Sequence, residues 1–308
     1  MTKKTAKAKN LGGRPKIGGA LRKSLRVRER DTSSAEKIVH EAERLNFPAK
    51  KRSESQGDYR ARKFEYFCEH HVCHIHGKYA GKPVKLMQWQ KEIVRPLFGD
   101  LDDQGLRKYK RLFVHIARKN GKTFLACLLV LYWLAEESFD DQSAEIVSCA
   151  VTREQSIRVI FNTCRRIVEL SESLSKLIVI RRQPQILTNV LTNSTYEPLA
   201  SDAKPTLGRN LSLIVFDETH GQPDSELWDA MATSQSMREQ PMMISISTAG
   251  DTRSSFYFQL YETMKKNDDP ATLVKIYEVP EDADWRDENN FVLANPAMGA
   301  GDEEGFRG

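Results

Sequence analysis

Arg111-Leu-Phe-Val-His-Ile-Ala-Arg-Lys-Asn-Gly-Lys-Thr-Phe-Leu-Ala-Cys-Leu-Leu-Val-Leu-Tyr-Trp-Leu-Ala135 is the stretch that decides the fold. Its first seven residues read as a short buried strand and its last thirteen as an apolar helix, with Arg118 to Lys122 between them. A loop that joins a buried strand to a helix presents backbone N–H groups and the positive end of the helix dipole to one point, which suits a phosphate. Lys122 is then expected to reach the outer phosphates of a nucleotide, with Lys119, Asn120 and Gly121 lining the loop and the Thr123 hydroxyl ligating Mg²⁺. The usual first glycine of such loops is missing, because Ile116 stands there.

Outward from this stretch the pattern repeats. Glu145–Ala150, Leu211–Phe216 and Met242–Ser247 read as strands; Glu154–Leu170, Ser225–Met237 and Ser255–Lys266 read as helices. Shorter strands are expected at Leu177–Ile180, Ile186–Leu191 and Ser194–Leu199, with a last one over Thr272–Val279. Alternation of this kind predicts an α/β fold with a mostly parallel sheet covered by helices on both faces. Upstream, a short helix is plausible over Ser33–Leu45, and Tyr59–His76 has helical character.

Two carboxylates, Asp217 and Glu218, end the apolar strand about ninety residues after the loop. Ligands of open α/β sheets bind at such strand ends. Asp217 would hold Mg²⁺ through water, and Glu218 would polarise an attacking water. Thr248, Ala249 and Gly250 close the next strand with small or hydroxylated residues suited to sensing a terminal phosphate. Gln90, in Gln88-Trp-Gln90, offers the donor and acceptor that read an adenine edge. Arg209, eight residues before Asp217, is expected at the opposite end of the strand.

Charge is unevenly spread. The net charge of +5 divides into +10 over residues 1–30, −6 over residues 281–308 and +1 over the rest, so the fold itself is not a basic nucleic-acid platform. We read 1–32 as a basic tail able to lie along phosphates, 33–84 as a small helical region, 85–280 as the ATPase domain and 281–308 as an acidic linker. Five cysteines at irregular spacing suit reduced thiols, and no apolar run is long enough for a membrane span. The Cys68, His70, His71, Cys73, His74 and His76 cluster matches no common zinc spacing.

The set Leu86-Met-Gln-Trp-Gln90, Ala117-Arg-Lys-Asn-Gly-Lys-Thr123, Ser201-Asp-Ala, Ile214-Val-Phe-Asp-Glu-Thr-His220 and Ser247-Thr-Ala-Gly250 resembles the large terminase subunit of tailed bacteriophages. The resemblance covers about Tyr59 to Gly299. It implies a RecA-like P-loop NTPase of the additional-strand, catalytic-glutamate type, with Glu218 catalytic and Arg118 touching the γ-phosphate in cis. It further implies ATP-driven movement of double-stranded DNA into a procapsid in the host cytoplasm. The implied partners are a portal protein, a small terminase subunit and further copies of the chain in a ring, where Arg209 could face a neighbour's ATP as an arginine finger in trans. That family carries a C-terminal nuclease, for which the nine residues after Gly299 are too few, so no nuclease activity is expected from this chain. Asp217-Glu-Thr-His220 also resembles the DEAH-type box, which keeps open a helicase; a non-catalytic DNA-binding assembly fragment is the other alternative.

Overall fold

The computed structural model describes residues 42–150, 152–200, 208–250, 252–284 and 286–299. The basic tail, most of the helix expected over Ser33–Leu45, Ser201-Asp-Ala and residues 300–308 lie outside the described residues.

Among the described residues, eight strands form one sheet in the order β3-β4-β5-β2-β6-β7-β1-β8. They are β1 (Arg111–His115), β2 (Glu145–Ala150), β3 (Ile178–Arg182), β4 (Gln185–Asn189), β5 (Ser194–Ala200), β6 (Leu211–Asp217), β7 (Met242–Ser247) and β8 (Thr272–Ile276). Pairing is parallel from β5 across to β8, and β4 runs antiparallel to both β3 and β5. Adjacent residues of the central strands feed different cores, as the period of two requires. Leu112, Val114, Ile146, Leu213, Val215, Ile244 and Ile246 pack on one face. Phe113, Val147, Ile214, Phe216 and Met243 pack on the other.

The first face is covered by the helix that follows the loop, α3 (Lys122–Ala135). From Leu125 to Ala135 every side chain is buried, so this helix is apolar all round. Beside it lies a run made of α4 (Arg153–Ser156), a π-helical turn (Ile157–Phe161) and α5 (Asn162–Leu170). The second face takes α7 (Glu226–Thr233) and α8 (Phe256–Lys266), which bring Leu227, Met231, Tyr257 and Leu260 to the sheet.

Upstream, α1 (Gln56–His71) and α2 (Gln88–Gly99) join the core of α3: the Phe64 and Phe67 rings meet Tyr132 edge-on at 5.0 and 5.3 Å. The two helices touch backbone to backbone, and a Cβ added at Gly57 would run into the carbonyl oxygen of Gly99. The region expected as a separate helical unit thus shares the core of the sheet from α1 onward.

Several boundaries differ from expectation. The helix expected to reach His76 ends at His71, and Cys73 bridges Pro83 instead. The helix expected to Met237 stops at Thr233, and β8 ends at Ile276 rather than Val279. Between α5 and β3 lies α6 (Glu172–Leu177), capped by the Ser171 hydroxyl, which the sequence reading did not include. The stretch read as an acidic linker contains α9 (Glu288–Ala294) and a 3₁₀ turn (Pro296–Gly299), and it folds back on the loop after β1. No helix of the described residues is long and apolar enough to cross a membrane.

Candidate active site

The loop after β1 is held from both sides. The buried Ile116 donates its N–H to the Ser247 carbonyl (3.0 Å), which ties the loop to the end of β7. Lys119 and Gly121 take left-handed backbone angles (φ 70° and 81°), turning the chain into α3. Gly121 supplies no side-chain cap, so it leaves the first N–H groups of α3 open to a ligand. Asn120, expected as a ligand of the nucleotide, has another use. Its amide is 1% exposed and donates to the carbonyls of Ala117 (3.1 Å) and Arg118 (3.3 Å) and to Asn295 Oδ1 (3.1 Å). Its Oδ1 accepts from the Ala297 N–H (3.1 Å), so the side chain fastens the loop to the turn after α9 and leaves only its backbone for phosphate. Arg118 and Lys119 are exposed at the loop's outer edge.

β6 lies between β2 and β7 with all seven residues buried, and it delivers the two carboxylates to this loop. The Thr123 hydroxyl donates to Asp217 Oδ2 (3.0 Å), while Asp217 Oδ1 is buried with no partner. Burial, and then the neighbouring Glu218 charge, push the Asp217 carboxyl up to about 6. A hydroxyl and a carboxylate with an unspent oxygen form a donor set that suits a small hard cation such as Mg²⁺.

Glu218 leaves the strand in a left-handed conformation (φ 57°, ψ 49°), uncommon for a residue with a Cβ. That turn aims its carboxylate back at the loop, where Oε1 lies 2.9 Å from Lys122 Nζ. Oε2 lies 3.2 Å from His220 Nδ1 and 3.5 Å from the Thr248 hydroxyl. Burial raises the Glu218 carboxyl, but contacts from His220 and Lys122 outweigh it and hold the group at about 2.

Thr248 is buried beside this carboxylate, with Ala249 and Gly250 exposed beyond it. Gln90 is not presented as an open donor–acceptor pair: it is 3% exposed, and its Oε1 caps its own helix by accepting the Met87 N–H (2.9 Å). Arg209 stands at the far end of β6, as expected, yet it is not free there. Its guanidinium pairs with Glu145 Oε2 (2.7 Å) and Glu197 Oε1 (2.5 Å), which sit on β2 and β5. In the Cys/His cluster, Cys68 is fully buried, His71 bonds Ser173 (2.8 Å) and His74 stacks on Phe124. No group of three potential metal ligands converges among the described residues.

The sequence reading gave no site role to His220 or Asn295. His220 was visible as the last residue of Asp217-Glu-Thr-His220, but nothing local assigns its ring to Glu218.

The profile of the family described as "Terminase large subunit, ATPase domain" matches residues 88–266. The large terminase subunit of Enterobacteria phage HK97 is 31% identical over 227 residues, 72% of this chain and 43% of that protein. The terminase large subunit of Lactococcus phage p2 is 23% identical over 210 residues, 65% of this chain and 38% of that protein. The crystal structure of the HK97 large terminase matches with a TM-score of 0.69 at 29% identity, over 81% of this chain and 49% of that one. The chain spans less than half the length of these relatives. With more than half of its residues inside the family profile, and the same RecA-like sheet and loop, this chain belongs to the terminase large-subunit family and carries its ATPase domain.

Proposed function

We propose that this chain hydrolyses ATP to ADP and phosphate, and that it does so as the motor part of a DNA-packaging assembly. One observation carries the chemistry. The loop lysine and threonine meet the paired carboxylates one to one, Lys122 with Glu218 at 2.9 Å and Thr123 with Asp217 at 3.0 Å.

In this reading the N–H groups of Lys119, Asn120, Gly121 and the start of α3 take the phosphates, and Lys122 neutralises the outer two. Thr123 and Asp217 would hold Mg²⁺, which when bound supplies charge neutralisation between the β- and γ-phosphates. Glu218 orients the attacking water and accepts its proton. As Lys122 turns to the phosphates, Glu218 loses one of the two contacts that depress its basicity, so substrate binding makes it a better base. Arg118, exposed at the loop, serves the γ-phosphate in cis. Thr248, Ala249 and Gly250 pass its loss to the end of β7. Gln90 reads adenine only through its amide N–H, or after releasing the Met87 cap. A trans role for Arg209 requires it to exchange Glu145 and Glu197 for a neighbour's phosphate.

Double-stranded DNA, a portal protein, a small terminase subunit and a ring of identical copies in the host cytoplasm are the partners and setting that family membership supports. The test is phosphate release with and without linear duplex DNA. Lys122→Ala should lose at least ~10²-fold in rate. Glu218→Gln should bind ATP and trap it. Hydrolysis by Lys122→Ala at the parent rate would refute the assignment, and strand separation would turn it toward a helicase.

A further inference from the structure

Glu218 reaches its position through a left-handed turn, and the residues after it curl into a short 3₁₀ turn, Thr219–Gly221. That curl returns the His220 ring to the carboxylate it has just passed. His220 Nδ1 lies 3.2 Å from Glu218 Oε2, 3.0 Å from the Ser247 hydroxyl and 3.4 Å from the Thr248 hydroxyl. An ionised carboxylate only accepts hydrogen bonds, so an unprotonated nitrogen facing it would set two lone pairs against each other. The proton therefore belongs on Nδ1, and it is given to Oε2.

The ring is itself held. The His220 backbone N–H donates to the Ser247 hydroxyl oxygen (3.0 Å), and that hydroxyl donates to the Thr248 carbonyl (3.1 Å). The Tyr257 hydroxyl lies 2.9 Å from His115 Nδ1, at the end of β1. Ser247 and Tyr257 are 0% and 1% exposed, and the Tyr257 ring meets the imidazole edge-on at 6.4 Å. The chain of contacts thus starts at Glu218, crosses the end of β7 and finishes at the strand that opens the phosphate loop.

We infer that His220 is a positioning residue for hydrolysis: its Nδ1–H fixes Glu218 Oε2, while Ser247, Tyr257 and His115 fix the imidazole. The inference rests on the ATPase reading above for its kinetic consequence. Oε1 faces Lys122 and is the oxygen that Lys122 gives up on turning to phosphate. Oε2 stays pinned, so the carboxylate pivots about one fixed oxygen when that contact changes. Without the pin, Glu218 keeps its charge but samples orientations that do not point at the water, and the loss falls on turnover rather than on binding.

Asparagine and glutamine separate this role from bulk packing, because the Asn amide nitrogen falls where Nδ1 lies and the Gln amide nitrogen where Nε2 lies. The experiment measures kcat, KM and the affinity for a fluorescent ATP analogue in the full chain. His220→Ala should lower kcat at least ~10-fold with affinity within ~3-fold. His220→Asn should recover most of that loss, and His220→Gln should not. Tyr257→Phe should give a smaller fall in kcat, also without a loss of affinity. Parent-like kcat in His220→Ala, or equal behaviour of the Asn and Gln variants, would overturn the inference. A double-mutant cycle on melting temperature with Glu218→Gln and His220→Ala reads the contact without activity. The two shifts should fail to add, and strict additivity would also overturn it. If Lys122→Ala hydrolyses ATP as the parent does, the ATPase reading fails, and the cycle still decides the contact.

Discussion

Replacing Asn120 by alanine tests whether this side chain serves the nucleotide or the fold. The amide makes four contacts within the chain: Ala117 O, Arg118 O and Asn295 Oδ1 as donor, and the Ala297 N–H as acceptor. Each is worth about 0.5–1.5 kcal/mol net, and a buried group left without a partner costs about 1–3 kcal/mol. Ala297 is 7% exposed, so its N–H has little water to turn to after the substitution. We expect a loss of about 2–4 kcal/mol. At roughly 2–4 °C per kcal/mol for a domain of this size, the melting temperature should fall by about 4–16 °C. The assay is thermal unfolding without nucleotide, with limited proteolysis of residues 288–299 as a local readout, since the turn after α9 loses its anchor. Asn120→Asp should be at least as damaging, because it keeps the acceptor for Ala297 but turns an oxygen toward three others. A melting temperature unchanged within a degree, combined with weakened ATP binding, would show that the amide faces the nucleotide and refute this account.

Asp217→Asn should stabilise the metal-free protein at pH 7.5 and leave it unchanged near pH 4. The folded carboxyl titrates at about 6, above the unfolded value of about 3.9, so its contribution is intact below pH 4 and is lost as pH rises to 6. The loss is on the order of 2–3 kcal/mol. Glu218, held at about 2, acts in the opposite sense: its contribution is present above the unfolded value and disappears as pH falls toward 2, which Glu218→Gln would remove. A Tm-versus-pH series in chelator checks both signs. Gly57→Ala should destabilise by about 1–3 kcal/mol in chemical denaturation, because α1 and α2 must separate to admit the methyl group. Arg209→Ala should lower stability by about 1–3 kcal/mol by leaving Glu145 and Glu197 without their shared cation, and high salt should shrink the difference. If it also removes only assembly-dependent hydrolysis, the trans role stands; if single-chain rates fall equally, it does not.

The central sheet was legible because its strands are unbroken apolar runs. Glu145–Ala150 and Met242–Ser247 come out residue for residue, and α3 begins one residue before Thr123. The loop and the carboxylate pair were legible as chemistry placed at strand ends. What escaped depends on distant partners. Asn120 looks like a loop ligand until Asn295 and Ala297, some 175 residues away, take up its amide. Arg209 was placed at the right end of its strand, but its two acids come from β2 and β5, whose adjacency is a property of sheet order. The helix expected as one piece over Glu154–Leu170 carries a π turn that packs Ile160 and Phe161, and no local pattern marks that extra residue per turn. α6 is too short to show a period.

The burial of α3 on every side settles which half of the site can move. A helix whose eleven residues from Leu125 to Ala135 all sit in the core cannot slide or tilt without opening voids around it, and packed interiors resist that. The loop at its head would therefore act, in the proposed motor, as a stator bolted to the frame. In the proposed motor, displacement after phosphate is cleaved would be taken up on the other wall, by Glu218, His220, Ala249 and Gly250, which are half-buried or exposed and lie where the backbone leaves the strands. Work done by such a motor would leave along the ends of β6 and β7, and the α3 end of the site would recoil against a mass that does not yield.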